Sequence, residues 1–290
     1  GRYAVGYDIF EGNIYEGHTL LPTIAKISKK FNLKKPIIVA DAGLLNNDNI
    51  KALEMQEYEY ILGARIRSES RENKEKILSA SFEDGSYIVL ENGNAKLIVQ
   101  YSTKRAKKDE HNRKRGLKNL EKKIKSGELT KQHINNRGYN KYLKMDGDIK
   151  VSIDEDKFKS DQKWDGLKGY ITNCKQTPEI IIENYKNLWQ IEKAFRMSKT
   201  DLRIRPIYHR IRKRIEAHIC LSFVAYSIYK ELERVLKEEK YRLSVEKASE
   251  ITHNMYQMEI TLPESRHSKN ILLKMDEDQA ELVRIVTKKF

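Results

Sequence analysis

Residues 36–40 read Pro-Ile-Ile-Val-Ala and run straight into Asp41. A short, unbroken apolar run fits a strand covered on both faces, the kind found inside layered α/β sheets. Such sheets place ligands outside the C-terminal ends of their strands, where Asp41 stands. Neighbouring segments supply the other layers. Residues 2–10 are strand-like and close on the turn at Glu11-Gly12-Asn13. Residues 19–31 predict an amphipathic helix, with Thr19 as N-cap and Pro22 in its first turn. Asn46 or Asn47 caps a helix through about Gln56, and residues 58–66 return as a strand. Strand and helix alternate, which predicts an α/β core.

The pattern changes near residue 68. After a polar stretch, residues 86–90 and 95–101 read as a hairpin across Glu91-Asn92-Gly93-Asn94. Lys and Arg dominate 104–126, where Leu117, Leu120 and Ile124 leave a thin apolar stripe. That helix is either a solvated face or a DNA contact, and its charge excess favours DNA. Residues 141–158 predict two strands around a turn at Asp146–Gly147, and 165–173 one more strand after an Asp-Gly turn. The resulting division is a core of 1–67 and 161–240, an insertion of 68–160, and a C-terminal region, 241–290, with no assigned role. No Pro/Gly/Ser linker separates insertion from core.

A formal net charge of +14 and a pI near 9.4 call for a polyanionic partner, nucleic acid first. Basicity alone is shared with ribosomal and membrane-surface proteins. Cys174 and Cys220 form no CxxC pair, so neither a zinc ligand set nor a disulfide framework is expected, and a reducing cytoplasm fits. No apolar run approaches the roughly 18 residues of a membrane span. The chain opens on Gly1, inside a strand-like stretch and without a signal peptide, and reads as a fragment.

The second constraint lies at 181–218. Ile181, Tyr185, Leu188, Trp189 and Phe195 recur at helical spacing with Glu192 among them, which predicts one helix carrying a carboxylate on its apolar side. Tyr185 and Lys199, seven residues either side, would share its face. A buried carboxylate costs several kcal/mol unless it is paired or holds a metal. Arg203, Arg205, His209, Arg210, Arg212, Lys213 and Arg214 follow, with no acid until Glu216. A metal-binding acid beside a cationic strip points to chemistry on a phosphate backbone. Each residue also has a plainer reading. Asp41 caps a turn or helix; Glu192 pairs with Arg196 at i+4; Tyr185 and Trp189 pack; His218 is a satisfied helix histidine.

The spacing Tyr185, Leu188, Glu192, Lys199 resembles the Y-(2)-R-(3)-E-(6)-K signature of bacterial insertion-sequence transposases with a DDE triad. Leu188 stands where that family has Arg, and Arg196 partly replaces the charge. Further phrases resemble the same family in the same order: GYDIFEGN with TLLP, PIIVADAGLL, ILGARI, YSTKRAKKD, DGLKGYITN and LWQIEKAFRMSKTDL with RPIYH. The resemblance implies a ribonuclease H-like mixed sheet with flanking helices, interrupted by a β-rich insertion subdomain. It implies Asp41 and Glu192 as catalytic metal ligands for two Mg²⁺ ions, with Mn²⁺ as substitute. Tyr185, Arg196, Lys199, Arg203, Arg205 and His209 would contact DNA phosphates. The implied reaction is metal-dependent phosphodiester hydrolysis and strand transfer at insertion-sequence ends. The implied partners are double-stranded DNA, at transposon ends and target, and a second copy in a homodimeric synaptic complex. The implied location is the bacterial cytoplasm, at the nucleoid and with no membrane. The family's first catalytic Asp lies on a strand upstream of GYDIFEGN, and Asp8 falls on the next strand. The chain is therefore expected to be N-terminally incomplete and inactive alone. The alternative is a catalytically dead DNA-binding remnant. A basic structural or RNA-binding protein would leave the Asp41 and Glu192 phrases unexplained.

Overall fold

The computed structural model describes residues 3–43, 46–146, 150–200 and 202–289. The chain divides into two compact units, residues 12–188 and residues 1–11 with 189–290.

In the first unit a 3-10 turn, Glu16–Thr19, runs directly into α1 (Leu20–Phe31). Thr19 therefore makes no side-chain cap bond; the turn itself delivers the chain into the helix. β1 (Ile38–Ala40) leads through Asp41 to α2 (Asn47–Met55), where Asn46 is the cap: its Oδ1 accepts the Asn49 N–H at 2.6 Å. There follow β2 (Tyr60–Ala64), α3 (Arg71–Ser79), the hairpin β3 (Tyr87–Asn92) and β4 (Ala95–Tyr101), and the basic helix α4 (Thr103–Lys125). A small hairpin, β5 (Leu143–Asp146) and β6 (Lys150–Ile153), precedes α5 (Glu155–Gln162), β7 (Leu167–Thr172) and α6 (Pro178–Lys186). The turn expected at Gly147 lies outside the described residues.

Five strands form one mixed sheet in the order β1-β2-β7-β4-β3, with β1 parallel to β2 and every other pair antiparallel. Successive residues of β2 point to opposite faces. Tyr60 and Leu62 pack with Leu20, Ile24 and Leu53 of α1 and α2, while Ile61 packs with Ile98, Ile181, Ile182 and Tyr185 on the α6 side. Both faces are covered, as the apolar run at 37–40 requires, and the fold is a mixed α/β sheet with flanking helices.

The structure corrects three expectations. Residues 3–10 are extended but form no strand, because no ladder among the described residues gives their backbone a partner. The two strands expected within 141–158 are present as β5 and β6, but the second ends at Ile153 and residues 155–162 are helical; Asp154 caps them by accepting the Lys157 N–H at 3.0 Å. The single helix expected around Glu192 breaks at Asn187: α6 ends at Lys186, the Leu188 N–H turns back onto the Tyr185 carbonyl, and α7 (Trp189–Thr200) begins afresh.

In the second unit α7 packs Met197 against Tyr226 and Tyr229 of α8 (Arg212–Glu238). Further along, α8 joins α9 (Val245–Thr252) and α10 (Glu277–Lys289) around Val235, Leu236, Ala248, Leu282 and Ile285. The hairpin β8 (Gln257–Thr261) and β9 (Ser268–Leu272) lies between α9 and α10 in sequence. Residues 3–11 run along α8 in the opposite sense: Tyr3 bonds Glu231, the Tyr7 ring meets Phe223 at a tilt with centroids 4.9 Å apart, and Glu11 lies 3.9 Å from Arg212. Among the described residues no helix is long and apolar enough to cross a membrane.

Candidate functional site

Asp41 is exposed one residue beyond the C-terminal end of β1. The apolar strand β1, partly buried at Ile38 and Val39 and buried at Ala40, fixes its backbone, and its Oδ1 accepts the Gly43 N–H at 2.8 Å. The capping role weighed for it is thus real, and it occupies one of the two carboxylate oxygens. The next carbonyl, of Ala42, accepts from Arg65 Nη2 at 2.9 Å, so a cation from the end of β2 is bound to the turn itself.

Tyr185 is buried beneath this turn. It meets the Tyr170 ring edge-on, with centroids 4.9 Å apart, and Lys168 Nζ stands 4.4 Å from its own ring centroid. Burial and the neighbouring Tyr185 push the Tyr170 hydroxyl up to about 12. Gly63 admits the Tyr185 hydroxyl: a Cβ there would lie 2.4 Å from that oxygen and 3.0 Å from the Ala42 nitrogen. The core packing weighed for Tyr185 holds, and it also carries the phenol to the base of the Asp41 turn.

A cavity of about 580 Å³ opens from Ala42, Gly63 and Tyr185. Arg65, Arg67, Arg105, Arg113 and Lys168 line it against only Asp109 and Asp165, so its potential is positive, and Trp164, Tyr139 and Tyr142 supply aromatic walls. Two partly buried carboxylates organise it. Asp165 pairs with Arg113, which is only 5% exposed and lies 5.3 Å over the Phe158 ring. Burial disfavours the charge on Arg113, but the Asp165 bond outweighs it and raises the guanidinium pKa. Asp161 accepts from Lys141, from the Tyr142 hydroxyl at 2.8 Å and from Arg67 at 2.8 Å. Burial opposes its ionisation, yet these donors hold it below the usual carboxylate range.

Glu192 lies on an exposed side of α7, not a buried one; Met197 is the side chain that α7 buries. The break at Asn187 resets the helical phase, so Tyr185 and Glu192 belong to different helices. Trp189 and Phe195 are more than half exposed, so the packing role expected of Trp189 is not observed. Arg196 and Lys199 are exposed on the same helix, Lys199 with its Nζ 6.0 Å from the Phe195 centroid. Among the described residues no ion pair joins Arg196 to Glu192; Lys193 instead pairs with Glu233 of α8. Arg203, Arg205 and His209 are exposed in the loop before α8. His218 lies with Nε2 3.0 Å from the Ile204 carbonyl oxygen, satisfied as expected, and its ring meets that of His209 at 5.8 Å.

Asp41 and Glu192 are oxygen donors exposed to solvent, the chemistry a hard divalent cation requires. Among the described residues, no group of three or more His, Cys, Asp or Glu side chains is placed to hold a metal ion. Sequence reasoning missed Arg65, Lys168 and the Arg113–Asp165 pair. The glycine inside a strand-like ILGARI was a usable signal, since a strand glycine often marks a close approach. Nothing local marks Arg113, whose partner lies 52 residues away.

The family described as the transposase DDE domain matches residues 1–228. No curated protein matches the chain. Among solved structures, a cryo-EM structure of the piggyBac transposase synaptic complex with hairpin DNA aligns at TM-score 0.39 and 9% identity. That alignment covers 85% of this chain and 41% of the other, so the chain spans about two fifths of that protein's length.

Proposed function

The chain belongs to the transposase DDE domain family, and from that membership we propose that it is a segment of a DNA transposase, an enzyme of metal-dependent phosphodiester hydrolysis and strand transfer at the ends of an insertion element, and that the segment alone is inactive. The observation that carries the reading is Asp41, an exposed carboxylate at the end of an apolar strand, beside a cationic cavity. Asp41 and Glu192 would hold divalent cations. Mg²⁺ or Mn²⁺ held there would supply activation of the attacking oxygen and charge stabilisation of the leaving one.

The chain's own residues bind and orient the DNA. Arg65, Arg105 and Lys168 neutralise backbone phosphates near Asp41, and Tyr185 supports the turn that aims the carboxylate. Arg196, Lys199, Arg203, Arg205 and His209 hold flanking phosphates, which adds affinity without reading sequence. Tyr185, Glu192 and Lys199 stand as members of the Y-R-E-K signature. Leu188 packs partly buried near Ile181 and Tyr185, and its charge role falls to Arg196. The core is ribonuclease H-like, and of the expected insertion at 68–160 the hairpin β3–β4 belongs to the core sheet through its pairing with β7. The acting species is a homodimer on double-stranded DNA in the bacterial cytoplasm.

A second reading is DNA binding without cleavage, which the cationic lining of the cavity by Arg65, Arg105 and Lys168 supports by itself. One experiment separates them: nicking of supercoiled DNA with Mg²⁺ or Mn²⁺ by the chain extended upstream to carry the family's first Asp, alongside binding at several salt concentrations. Nicking that Asp41→Asn and Glu192→Gln each abolish supports the enzyme. Salt-sensitive binding without nicking supports the second reading, and failure to bind DNA overturns both.

A further inference from the structure

The cavity beside the Asp41 turn holds more positive charge than the acids around it answer. Its lining residues run from Ala42 to Tyr185, so the unit of residues 12–188 builds it alone. Most of its cations have a carboxylate of that unit. Arg113 pairs with Asp165, and Arg67 with Asp161 at 2.8 Å. Arg105 stands 3.5 Å from Asp109, which also accepts the Gly166 N–H at 3.2 Å. Arg65 forms no ion pair among the described residues and gives Nη2 to the Ala42 carbonyl at 2.9 Å. The ladder that pairs Ala64 with Gly169 puts Arg65 and Lys168 next to each other along β2 and β7. Lys168 stands over the Tyr185 ring, so the charge in excess lies at the end of the cavity nearest Ala42.

We propose that this end of the cavity holds the 5′-terminal phosphate of a cut DNA strand. Hydrolysis of a phosphodiester joins a water oxygen to phosphorus and breaks the bond to the 3′ oxygen, which leaves with a proton. Strand transfer needs that 3′-hydroxyl as its nucleophile, so the phosphate stays on the 5′ side of the break. A terminal phosphate carries about −1.5 to −2 at pH 7 and three strong acceptor oxygens, against a single charge on a phosphate inside a strand. The Arg65 fork and the Lys168 ammonium match the terminal group in charge and in donors. Trp164 and Tyr139 line the same cavity, and apolar walls strengthen a charge match by lowering the local dielectric. A volume of about 580 Å³ is that of a small-ligand pocket; it takes a strand end, not a duplex. The inference rests on the hydrolysis in the proposed function and names where its second product goes.

The test uses the full chain without divalent metal, so no DNA is cut. The probe is a DNA hairpin labelled in its loop, with a short single-stranded 5′ end that is either phosphorylated or a hydroxyl. Fluorescence anisotropy is expected to show the phosphorylated hairpin binding at least about tenfold more tightly, as one added charge-assisted hydrogen bond supplies. Lys168→Met and Arg65→Gln are each expected to bring the ratio of the two affinities towards one. Lys199→Met, in the other unit, is expected to weaken both hairpins alike and leave the ratio. Trp164 emission in a Trp189→Phe background is expected to change with the phosphorylated hairpin and not with the hydroxyl one, a readout that leaves the cavity unaltered. Equal affinity for the two hairpins overturns the proposal and leaves DNA binding in place. A preference that survives both cavity substitutions puts the phosphate elsewhere and overturns it as well. Inorganic phosphate that binds as tightly as the phosphorylated hairpin would make the cavity a free-anion site and discard the strand end. Binding of neither hairpin overturns this inference together with the proposed function.

Discussion

Replacing Gly63 by alanine tests the arrangement under the Asp41 turn. The new methyl carbon would sit 2.4 Å from the Tyr185 hydroxyl oxygen, 3.2 Å from its Cζ and 3.0 Å from the Ala42 nitrogen. Neither neighbour yields easily. Tyr185 is 6% exposed, wedged against Tyr170 and under Lys168, and Ala42 belongs to the backbone of the turn. Overpacking of this kind costs about 1–3 kcal/mol, while a strand alanine recovers about 0.5–1 kcal/mol relative to glycine. The net loss is then about 0.5–2 kcal/mol, or roughly 1–8 °C in the melting of a unit this size at about 2–4 °C per kcal/mol. Tyr185→Phe removes the atom at 2.4 Å and leaves the contacts at 3.0 and 3.2 Å. The double variant is therefore expected to recover part of the loss, with a coupling of about 1 kcal/mol in a double-mutant cycle. Urea unfolding followed by Trp164 fluorescence in a Trp189→Phe background reads this unit, since the chain has two tryptophans. Additive single effects, or a Gly63→Ala variant as stable as the parent, would refute the close approach of Tyr185 to β2.

Arg113→Met leaves the Asp165 carboxylate buried without its partner and is expected to cost about 3–5 kcal/mol in urea unfolding; a loss under about 1 kcal/mol would deny the buried pair. Asp161 has a folded pKa below its ordinary value, so its contribution to stability is fully present above about pH 4 and is lost as pH falls further. The stability gap between the parent and Asp161→Asn should accordingly be wide at pH 7 and narrow below pH 4, in unfolding curves taken across that range. Charge reversal of Lys118, Lys122 and Lys125 on α4 is expected to flatten the dependence of DNA affinity on log salt by up to about 0.9 per lost phosphate contact; an unchanged slope removes α4 from the interface.

The sheet was legible where side-chain pattern and backbone need agree. The apolar run at 37–40 announced a strand covered on both sides, and Asp41 followed at its end. The Asn-Gly turn announced the hairpin of β3 and β4. Legibility failed where the deciding partner is distant or lacking. Residues 3–10 alternate like a strand, but a strand exists only by its ladder, and α8 offers them side chains instead. The 3.6-residue rhythm passes through Asn187 without a proline or glycine to interrupt it, so the break before Glu192 leaves no local mark. Asp154 was available as a helix cap, yet Phe158 among polar neighbours reads equally well as an alternating strand. Arg113 lies in a run of lysines and arginines that looks uniformly solvated, and only the return of the chain at Asp165 draws it inside.

The strand order also sets when this protein can fold during synthesis. β7 is the last of the five strands to be made, yet it lies at the centre of the sheet, with Ile171 paired to Leu62 on one side and Leu97 on the other. Until residue 172 leaves the ribosome, β2 and β4 each carry an unpaired edge, and the two halves of the sheet have no hydrogen bonds between them. Pairings separated by about 110 positions in the chain close slowly, because the loop entropy is lost before the contacts form. A nascent chain stalled before β7 therefore holds two small ladders rather than a shorter version of the sheet. Both ladders offer open edges to any neighbouring chain.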